Sequence, residues 1–151
     1  MKIVRTVACA VAMVVLATGV ASPQTQAAQI AGAWTCAAIT ANSVVSGQMT
    51  YNTDGTMDSN VSVNAEFEEG NLELLVTSKS TWKLKGDGLI EEQILTATAT
   101  SGTFAGKALS ADDLAGFDDD VPKEAGTSSV EVSADKMTLI DGGGTRTTCV
   151  R

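Results

Sequence analysis

The chain has 151 residues, a formal charge of −8 and no histidine. This length supports one hydrophobic core rather than two, so we expect a single domain. The excess of acidic residues argues against nucleic acid and against an anionic membrane surface as partners, because few cations are present to neutralise phosphates. We interpret the acidity as a means of keeping the protein in solution.

The N-terminus has the pattern of a secretory signal. Lys2 and Arg5 precede an uncharged apolar run over residues 6–20, which is too short for a stable membrane span. We predict a signal peptide over residues 1–27 and a mature domain over 28–151 that does not span a membrane. Cleavage after Ala27 is preferred, and cleavage after Ala21 is the alternative. Loss of the two cations gives the mature chain −8 − 2 = −10, and export places it in the periplasm or the medium.

The three cysteines have different predicted fates. Cys9 lies inside the apolar run, whereas a lipid-attachment cysteine follows such a run, so we expect Cys9 to be removed with the signal. Cys36 and Cys149 remain, and an even pair in an oxidising compartment predicts a disulfide. This bond would tie the first strand to the last and stabilise the fold by roughly 4 to 5 kcal/mol.

The first half of the chain reads as a series of strands. The first strand runs from Gly32 to about Thr40, and the second covers residues 45–51. The Asp54-Gly55 pair predicts a type I′ hairpin turn between the second strand and the third.

The clearest alternation covers residues 56–84. Apolar side chains fall on odd numbers from Met57 to Phe67 and, after a turn, on even numbers from Leu72 to Leu84. This predicts a third and a fourth strand whose odd and even residues, respectively, point inward. A long hairpin with one apolar face must curl against further strands, which indicates a barrel or a sandwich.

The second half contains a fifth strand, an insertion and three further strands. The fifth strand, over residues 89–100, alternates poorly, which predicts either a β-bulge or a strand that is covered on both faces. Residues 101–127 break the pattern, with Ser110 as an N-cap and Gly116 as the stop of a short helix. A connection of this length is typically a lid, a plug or a disordered insertion. Alternation then resumes, giving eight strands in meander order with one short helix between the fifth and the sixth.

Several short motifs resemble those of calycins, the group of lipocalin-like and streptavidin-like barrels, here as a small exported bacterial protein. They are Gly32-Ala33-Trp34, Asp54-Gly55-Thr56, the Ser-Thr-Trp-Lys-Leu segment at 80–84, and a basic residue closing the last strand. The resemblance implies an all-β, eight-stranded antiparallel up-and-down barrel. It also implies that Trp34 plugs the closed end and that Arg151, or alternatively Arg146, covers its ring by a cation–π contact. A sandwich or a half-closed barrel is the alternative fold.

The residue types argue against catalysis and metal binding. Without histidine, and with both mature cysteines paired, the usual general bases, zinc ligands and thiol nucleophiles are missing. The acidic residues over 112–124 lack the alternating spacing that wraps a calcium ion. We therefore predict no catalytic residue, no metal and no cofactor. Glu92 is the one carboxylate that a barrel-type isomerase could use.

The inward positions predict a cavity. Ser59, Ser78 and Ser80 are small and face inward, and few aromatic side chains are available to fill the space. The alternative is that the 101–127 insertion fills the opening. The predicted ligand contacts are Met49, Met57, Val61, Ser78, Ser80 and Trp82.

We thus predict a non-enzymatic exported protein that binds a small apolar or amphipathic ligand. The first alternative is an inhibitor or docking module that contacts an envelope or secreted protein through the acidic 101–127 insertion. A filled interior and an exposed Phe104 or Phe117 would favour that alternative. The second alternative is a barrel-type isomerase.

Overall fold

The structure is a computed structural model that describes residues 23–86, 88–119 and 121–151. Most of the predicted signal peptide, with Cys9, lies outside these residues. The order of elements is as follows: α1 Pro23–Ile30, β1 Gly32–Ile39, β2 Ser43–Tyr51, β3 Thr56–Phe67, β4 Gly70–Leu84, β5 Leu89–Phe104, β6 Lys107–Ala108, α2 Ala111–Asp119, β7 Gly126–Val132, β8 Lys136–Asp141 and β9 Arg146–Val150.

Eight of the nine strands form a closed antiparallel ring. Each strand from β1 to β5 pairs with the next, β5 pairs with β7, and β7, β8 and β9 follow in order. Pairing of β9 with β1 closes the ring, and the two-residue β6 pairs only with the end of β5. The predicted eight-stranded barrel, with one helix between its fifth and sixth strands, is confirmed.

The long hairpin formed by β3 and β4 has the predicted facing. Met57 and Val61 on β3 are buried, as are Leu74, Ser80 and Trp82 on β4, while their sequence neighbours are more exposed. The register brings inward residues opposite one another, with Met57 facing Ser80. Alternation alone therefore predicted the inner surface of this part of the barrel.

The fifth strand contains the predicted irregularity. Its register with β4 shifts between Leu75 and Val76 and again between Lys79 and Ser80. The second shift leaves Leu95 without a partner on β4 and returns Ile94 to the inner face, which explains the poor alternation in sequence. The strand also continues to Phe104, beyond the predicted end at residue 100, because the start of β4 supplies partners for residues 101–104.

The predicted type I′ turn at Asp54-Gly55 is wrong. Such a turn needs a positive φ at both central residues, and Ala105 is the one non-glycine residue with a positive φ in the described part of the chain. Gly55 alone has the left-handed conformation, at φ 85°. The loop is therefore of the three-residue hairpin type that ends on a left-handed glycine, closed by the Asn52 N–H donating to the Thr56 carbonyl at 2.8 Å.

Helix α2 begins at the predicted cap but ends later than predicted. Ser110 Oγ accepts a hydrogen bond from the Asp113 N–H at 3.2 Å, and the Ser110 N–H donates to Asp113 Oδ2 at 2.9 Å. This reciprocal pair satisfies two backbone N–H groups at the helix start. Gly116 does not stop the helix, which continues to Asp119, because a glycine weakens a helix without removing its hydrogen bonds.

Helix α1, which the sequence analysis did not predict, closes one end of the barrel together with Trp34. Ile30 at the end of α1 and Trp34 on β1 are fully buried, and the indole N–H donates to the Ile30 carbonyl at 2.7 Å. The Arg151 guanidinium lies 3.9 Å from the Trp34 ring and donates to the carbonyls of Gln29 and Ala31. The side-chain N–H groups of Trp34 and Arg151 thus form hydrogen bonds with carbonyl groups that the end of a helix leaves unpaired.

The predicted disulfide is confirmed. Cys36 on β1 and Cys149 on β9 are direct partners across the strand pair that closes the ring, with Cα atoms 4.0 Å apart. That pair has only four residues in register on each strand. The covalent bond therefore reinforces a short ladder, and it does so across a sequence separation of 113 residues.

Removal of the disulfide should strongly lower stability. We expect the double variant Cys36→Ser/Cys149→Ser to lose about 2 to 5 kcal/mol of unfolding free energy, because the unfolded chain is freed from a very long closed loop. Urea unfolding of the variant and of the oxidised protein measures this difference. The reduced wild-type protein is the control and should match the variant; an unchanged midpoint in both would contradict the prediction.

Gly47 should tolerate no side chain. A Cβ there would lie 2.2 Å from the Asn60 carbonyl oxygen and 2.6 Å from Val61 Cα, both on the neighbouring strand β3. We expect Gly47→Ala to cost about 1 to 3 kcal/mol or more, since backbone atoms would have to move. Gly142→Ala, on the loop after β8, is the matched control, because a Cβ added at that residue would have no atom within 4 Å. Thermal unfolding measures both variants, and equal midpoints would contradict a steric clash at residue 47.

Candidate functional site

A cavity of about 810 Å³ occupies the barrel interior on the side away from α1. Tyr51, Met57 and Leu139 belong both to the buried core and to the cavity lining, so they form its floor. The wall above them is formed by inward residues of β2 to β5, where small and medium-sized side chains replace the aromatic rings of the closed end. The apolar members of this wall are Met49, Val61, Val76, Ile94 and Ala97.

The structure brings together five of the six predicted ligand contacts. Of the six predicted contacts, the five that line the cavity are Met49, Met57, Val61, Ser78 and Ser80. Trp82 lies in the core next to the floor instead: its ring meets the edge of Tyr51 at 5.5 Å between centroids, and its indole N–H donates to the Asn52 carbonyl at 3.0 Å. Trp82 therefore supports the floor through Tyr51.

The insertion forms part of the wall and leaves the cavity open. Strand β5 pairs with β7 only over residues 89–92, and the rest of that edge is covered by the insertion. The Ala99 N–H donates to Asp118 Oδ1 at 2.9 Å, and Gln93 Nε2 donates to the Lys123 carbonyl at 3.1 Å. Beyond α2, Val121, Pro122 and Glu124 line the cavity. The alternative in which the insertion fills the opening is not what the structure shows.

Two of the three inward serines satisfy each other. Ser59 and Ser78 are partners in the β3–β4 register, and their hydroxyl oxygens lie 2.7 Å apart. Ser80 is 1 % exposed, and its Oγ has no hydrogen-bond partner within the described residues. A buried hydroxyl without a partner is unfavourable by about 1 to 3 kcal/mol, so Ser80 is a point at which a ligand could supply the missing bond.

Glu92 places a carboxylate inside the barrel. Its Oε1 accepts a hydrogen bond from the Tyr51 hydroxyl at 2.7 Å. Burial raises the pKa of Glu92 above its ordinary value, and the Tyr51 hydrogen bond opposes part of this change. Burial and the negative charge of Glu92 together raise the pKa of Tyr51 far above its ordinary value, so Tyr51 remains a hydrogen-bond donor at every physiological pH.

The charge of the cavity has one sign. Glu92, Glu124 and Asp141 line it, and no lysine or arginine is among the described residues that do so. Asp141 lies at a loop, where its Oδ1 accepts hydrogen bonds from the N–H groups of Gly143 and Thr145, each at 2.9 Å. The cavity therefore combines apolar walls with negative charge.

Two polar lining residues that sequence reasoning did not assign as ligand contacts, Tyr51 and Glu92, could have been found from strand parity. Tyr51 lies two residues after Met49 on β2, and Glu92 lies between Ile90 and Ile94 at even positions of β5. Strand residues that are two apart point to the same face, so both side chains are expected to point inward. The bulge at Leu95 obscured the second pattern, because it changes which parity faces inward along β5.

Other kinds of site receive no support from the described geometry. Over residues 23–86, 88–119 and 121–151, no group of three or more cysteine or acidic side chains is placed to hold a metal ion. No helix in the same part of the chain is long and apolar enough to cross a membrane. Phe104 and Phe117, whose exposure would favour a protein-docking insertion, are both half-buried.

Comparison with known proteins does not supply a function. No protein-family model matches the chain, and no curated protein does. The geometry of the cavity is therefore the basis for the functional proposals below.

Replacing Glu92 should change how stability depends on pH. Because the pKa of folded Glu92 is raised above 4.5, the folded state keeps a proton that the unfolded state has released, so its contribution to stability falls as pH rises from that value through the raised pKa. The amide introduced by Glu92→Gln does not titrate. We therefore expect the stability of Glu92→Gln relative to wild type to increase with pH, as measured by urea unfolding from about pH 4 to pH 8.

Tyr51→Phe provides the complementary test of the same titration. It removes the hydrogen bond that lowers the pKa of Glu92, so the total loss of stability with rising pH should be larger in this variant and should continue to a higher pH than in wild type. The other titratable groups lining the cavity, Glu124 and Asp141, are retained in both variants. A stability difference between Glu92→Gln and wild type that is flat, or that falls with pH, would refute the assignment to Glu92.

Proposed function

We propose that this protein binds a small amphipathic ligand inside the barrel and does not catalyse a reaction on it. The observation that carries the proposal is the cavity of about 810 Å³, floored by Tyr51, Met57 and Leu139. Sites for small molecules commonly have volumes of about 300–1,000 Å³, with mainly apolar walls and a few polar groups that fix orientation. Ser80 and Glu92 supply such polar groups at the floor.

We further propose that the protein is an exported member of the calycin group. A closed eight-stranded antiparallel barrel, with Arg151 over the Trp34 ring at its closed end, supports that placement. The Cys36–Cys149 disulfide supports export, since such bonds persist in oxidising compartments. Cleavage after Ala21 would retain all of α1, whereas cleavage after Ala27 would retain Ile30 and the carbonyls that Trp34 and Arg151 bind.

Ligand binding can be tested with a neutral fluorophore and a variant that fills the cavity. N-phenyl-1-naphthylamine should become fluorescent in the presence of the wild-type protein. Ala97→Phe should abolish this signal, because residue 97 lines the cavity and the added ring would occupy it. Thr98→Phe is the matched control. Thr98 is the next residue along the chain and is exposed on the outer face of β5, so binding should persist in this variant.

Native mass spectrometry of protein purified from its own host adds a second readout. A discrete extra mass that is present in native conditions and lost on denaturation would support a carrier function, and the denatured mass would show whether the chain starts at Ser22 or Ala28.

Fluorophore binding that survives in Ala97→Phe, or that is lost equally in both phenylalanine variants, would contradict the cavity as the binding site.

A barrel-type isomerase is the second candidate function, and one observation favours it. Glu92 lies in the cavity and is held by Tyr51 at 2.7 Å, and a carboxyl group with a raised pKa is suited to move a proton on a bound substrate. A compound recovered from the protein and incubated with it in heavy water should then gain deuterium on carbon. The exchange should disappear in Glu92→Gln, and a pure carrier would show no exchange in either protein.

A further inference from the structure

We propose that the cavity selects cationic amphiphiles, meaning ligands that carry an ammonium-type head group on an apolar body, and that Glu92 receives the cation. The inference rests on the proposed binding function and adds the chemical class of the ligand. It is carried by the arrangement of Glu92, Tyr51 and Ser80 at the floor and by the charge of the remaining lining.

The first argument is the sign of the charge. Glu92, Glu124 and Asp141 line the cavity, with no lysine or arginine among its described lining residues. The lysines nearest to Glu92 along the strand pair are directed to the outer face, where Lys83 and Lys85 each contact Glu91 at 2.7 Å. Glu92 lies at the cavity floor, whereas Glu124 and Asp141 are exposed to solvent. The carboxyl group at the floor disfavours an anionic ligand and favours a cation, and the two exposed carboxyl groups add a weaker, solvent-screened attraction of the same sign.

The second argument is that Glu92 is oriented in advance. Tyr51 donates to one carboxylate oxygen at 2.7 Å, and the Trp82 ring holds the Tyr51 ring in an edge contact at 5.5 Å. A carboxylate accepts several hydrogen bonds, and within the described residues Tyr51 is the donor that reaches this one. A ligand N–H bearing positive charge would provide a further donor and would offset the unfavourable burial of the ionised form.

The third argument is the position of Ser80. Its inward neighbours in register are Met57 on β3 and Ile94 on β5, and Glu92 lies two residues before Ile94 on the same face. The buried, unpartnered Ser80 hydroxyl therefore lies in the row adjacent to Glu92, where it can accept a second N–H. Above this row, Val61 and Met49 present apolar surface to the body of the ligand.

A set of three ligands that differ only in the head group separates the possibilities. We would titrate the oxidised protein with decylammonium, decanol and decanoate by isothermal titration calorimetry near neutral pH. Decylammonium should bind about tenfold or more tightly than decanol, because a charge-assisted hydrogen bond is added, and decanoate should bind most weakly. Glu92→Gln should remove this preference, so that the ratio of decylammonium affinity to decanol affinity falls to about one.

Two further variants test whether the effect is local. Glu131→Gln removes the same charge from an exposed position on the outer face of β7 and should leave all three affinities unchanged. Ser80→Ala should weaken decylammonium by about threefold to tenfold, since one accepting oxygen is lost. An equal loss in Glu131→Gln and Glu92→Gln would overturn the inference, because it would show a general effect of net charge.

A measurement on the wild-type protein decides the matter if Glu92→Gln does not fold. With Tyr51, Glu124 and Asp141 as the other titratable groups in the cavity, a cation bound at Glu92 requires that carboxyl group to be ionised, so decylammonium affinity should fall as pH is lowered while decanol affinity should not. Calorimetric titrations of both ligands from about pH 8 to pH 4 measure this difference, and parallel pH dependences would overturn the inference. Equal binding of all three ligands would overturn the inference and leave the proposed function standing, whereas no binding of any would overturn both.

Discussion

The contact of Arg151 with Trp34 joins the end of the last strand to the first strand, and closure of the barrel depends on that junction. The guanidinium lies 3.9 Å from the indole ring and donates to carbonyls at the end of α1. The Cys36–Cys149 bond crosses the same strand pair, whose ladder is only four residues long. A short ladder by itself is a weak closure, because each residue pair adds little. The cation–π contact, the satisfied helix carbonyls and the covalent bond together make the sheet a ring without exposed edges at this point.

A closed ring makes the size of inward side chains decisive. At the end closed by α1 the inner face carries large rings, among them Trp34, Tyr51 and Trp82, and the interior is packed. Further along, β3, β4 and β5 carry Ser59, Ser78 and Ala97, which are too small to meet across the barrel. The packed end thus supplies stability and the open volume is the proposed binding site, although both belong to one continuous face of the sheet.

The cavity contains the groups that contribute least to folding. Burial of Glu92 disfavours its ionised form, and Ser80 leaves a buried hydroxyl without a partner in the described chain. Each is a local cost that a better-packed apolar residue would avoid. They occur together on the cavity floor, beside a tyrosine that orients the carboxyl group, and this is the observation on which the proposed binding function rests. The proposed preference for a cation rests on the same geometry, because a positive head group would relieve both costs.

The sequence by itself determined the strands, their inward faces and the disulfide. Period-two alternation from Met57 to Leu84 depends only on which residues avoid water, so it can be recognised in the sequence before the neighbouring strands are known. It did not reveal α1, since residues 23–30 have no strong amphipathic pattern and the end of their helix is held in part by Arg151, which is distant in sequence. Nor did it assign Tyr51 to the site, pair Glu92 with that tyrosine, or remove Trp82 from the site. Those assignments depend on a bulge in β5 and on the order in which strands meet around the ring, and such long-range pairing is decided only when the barrel closes.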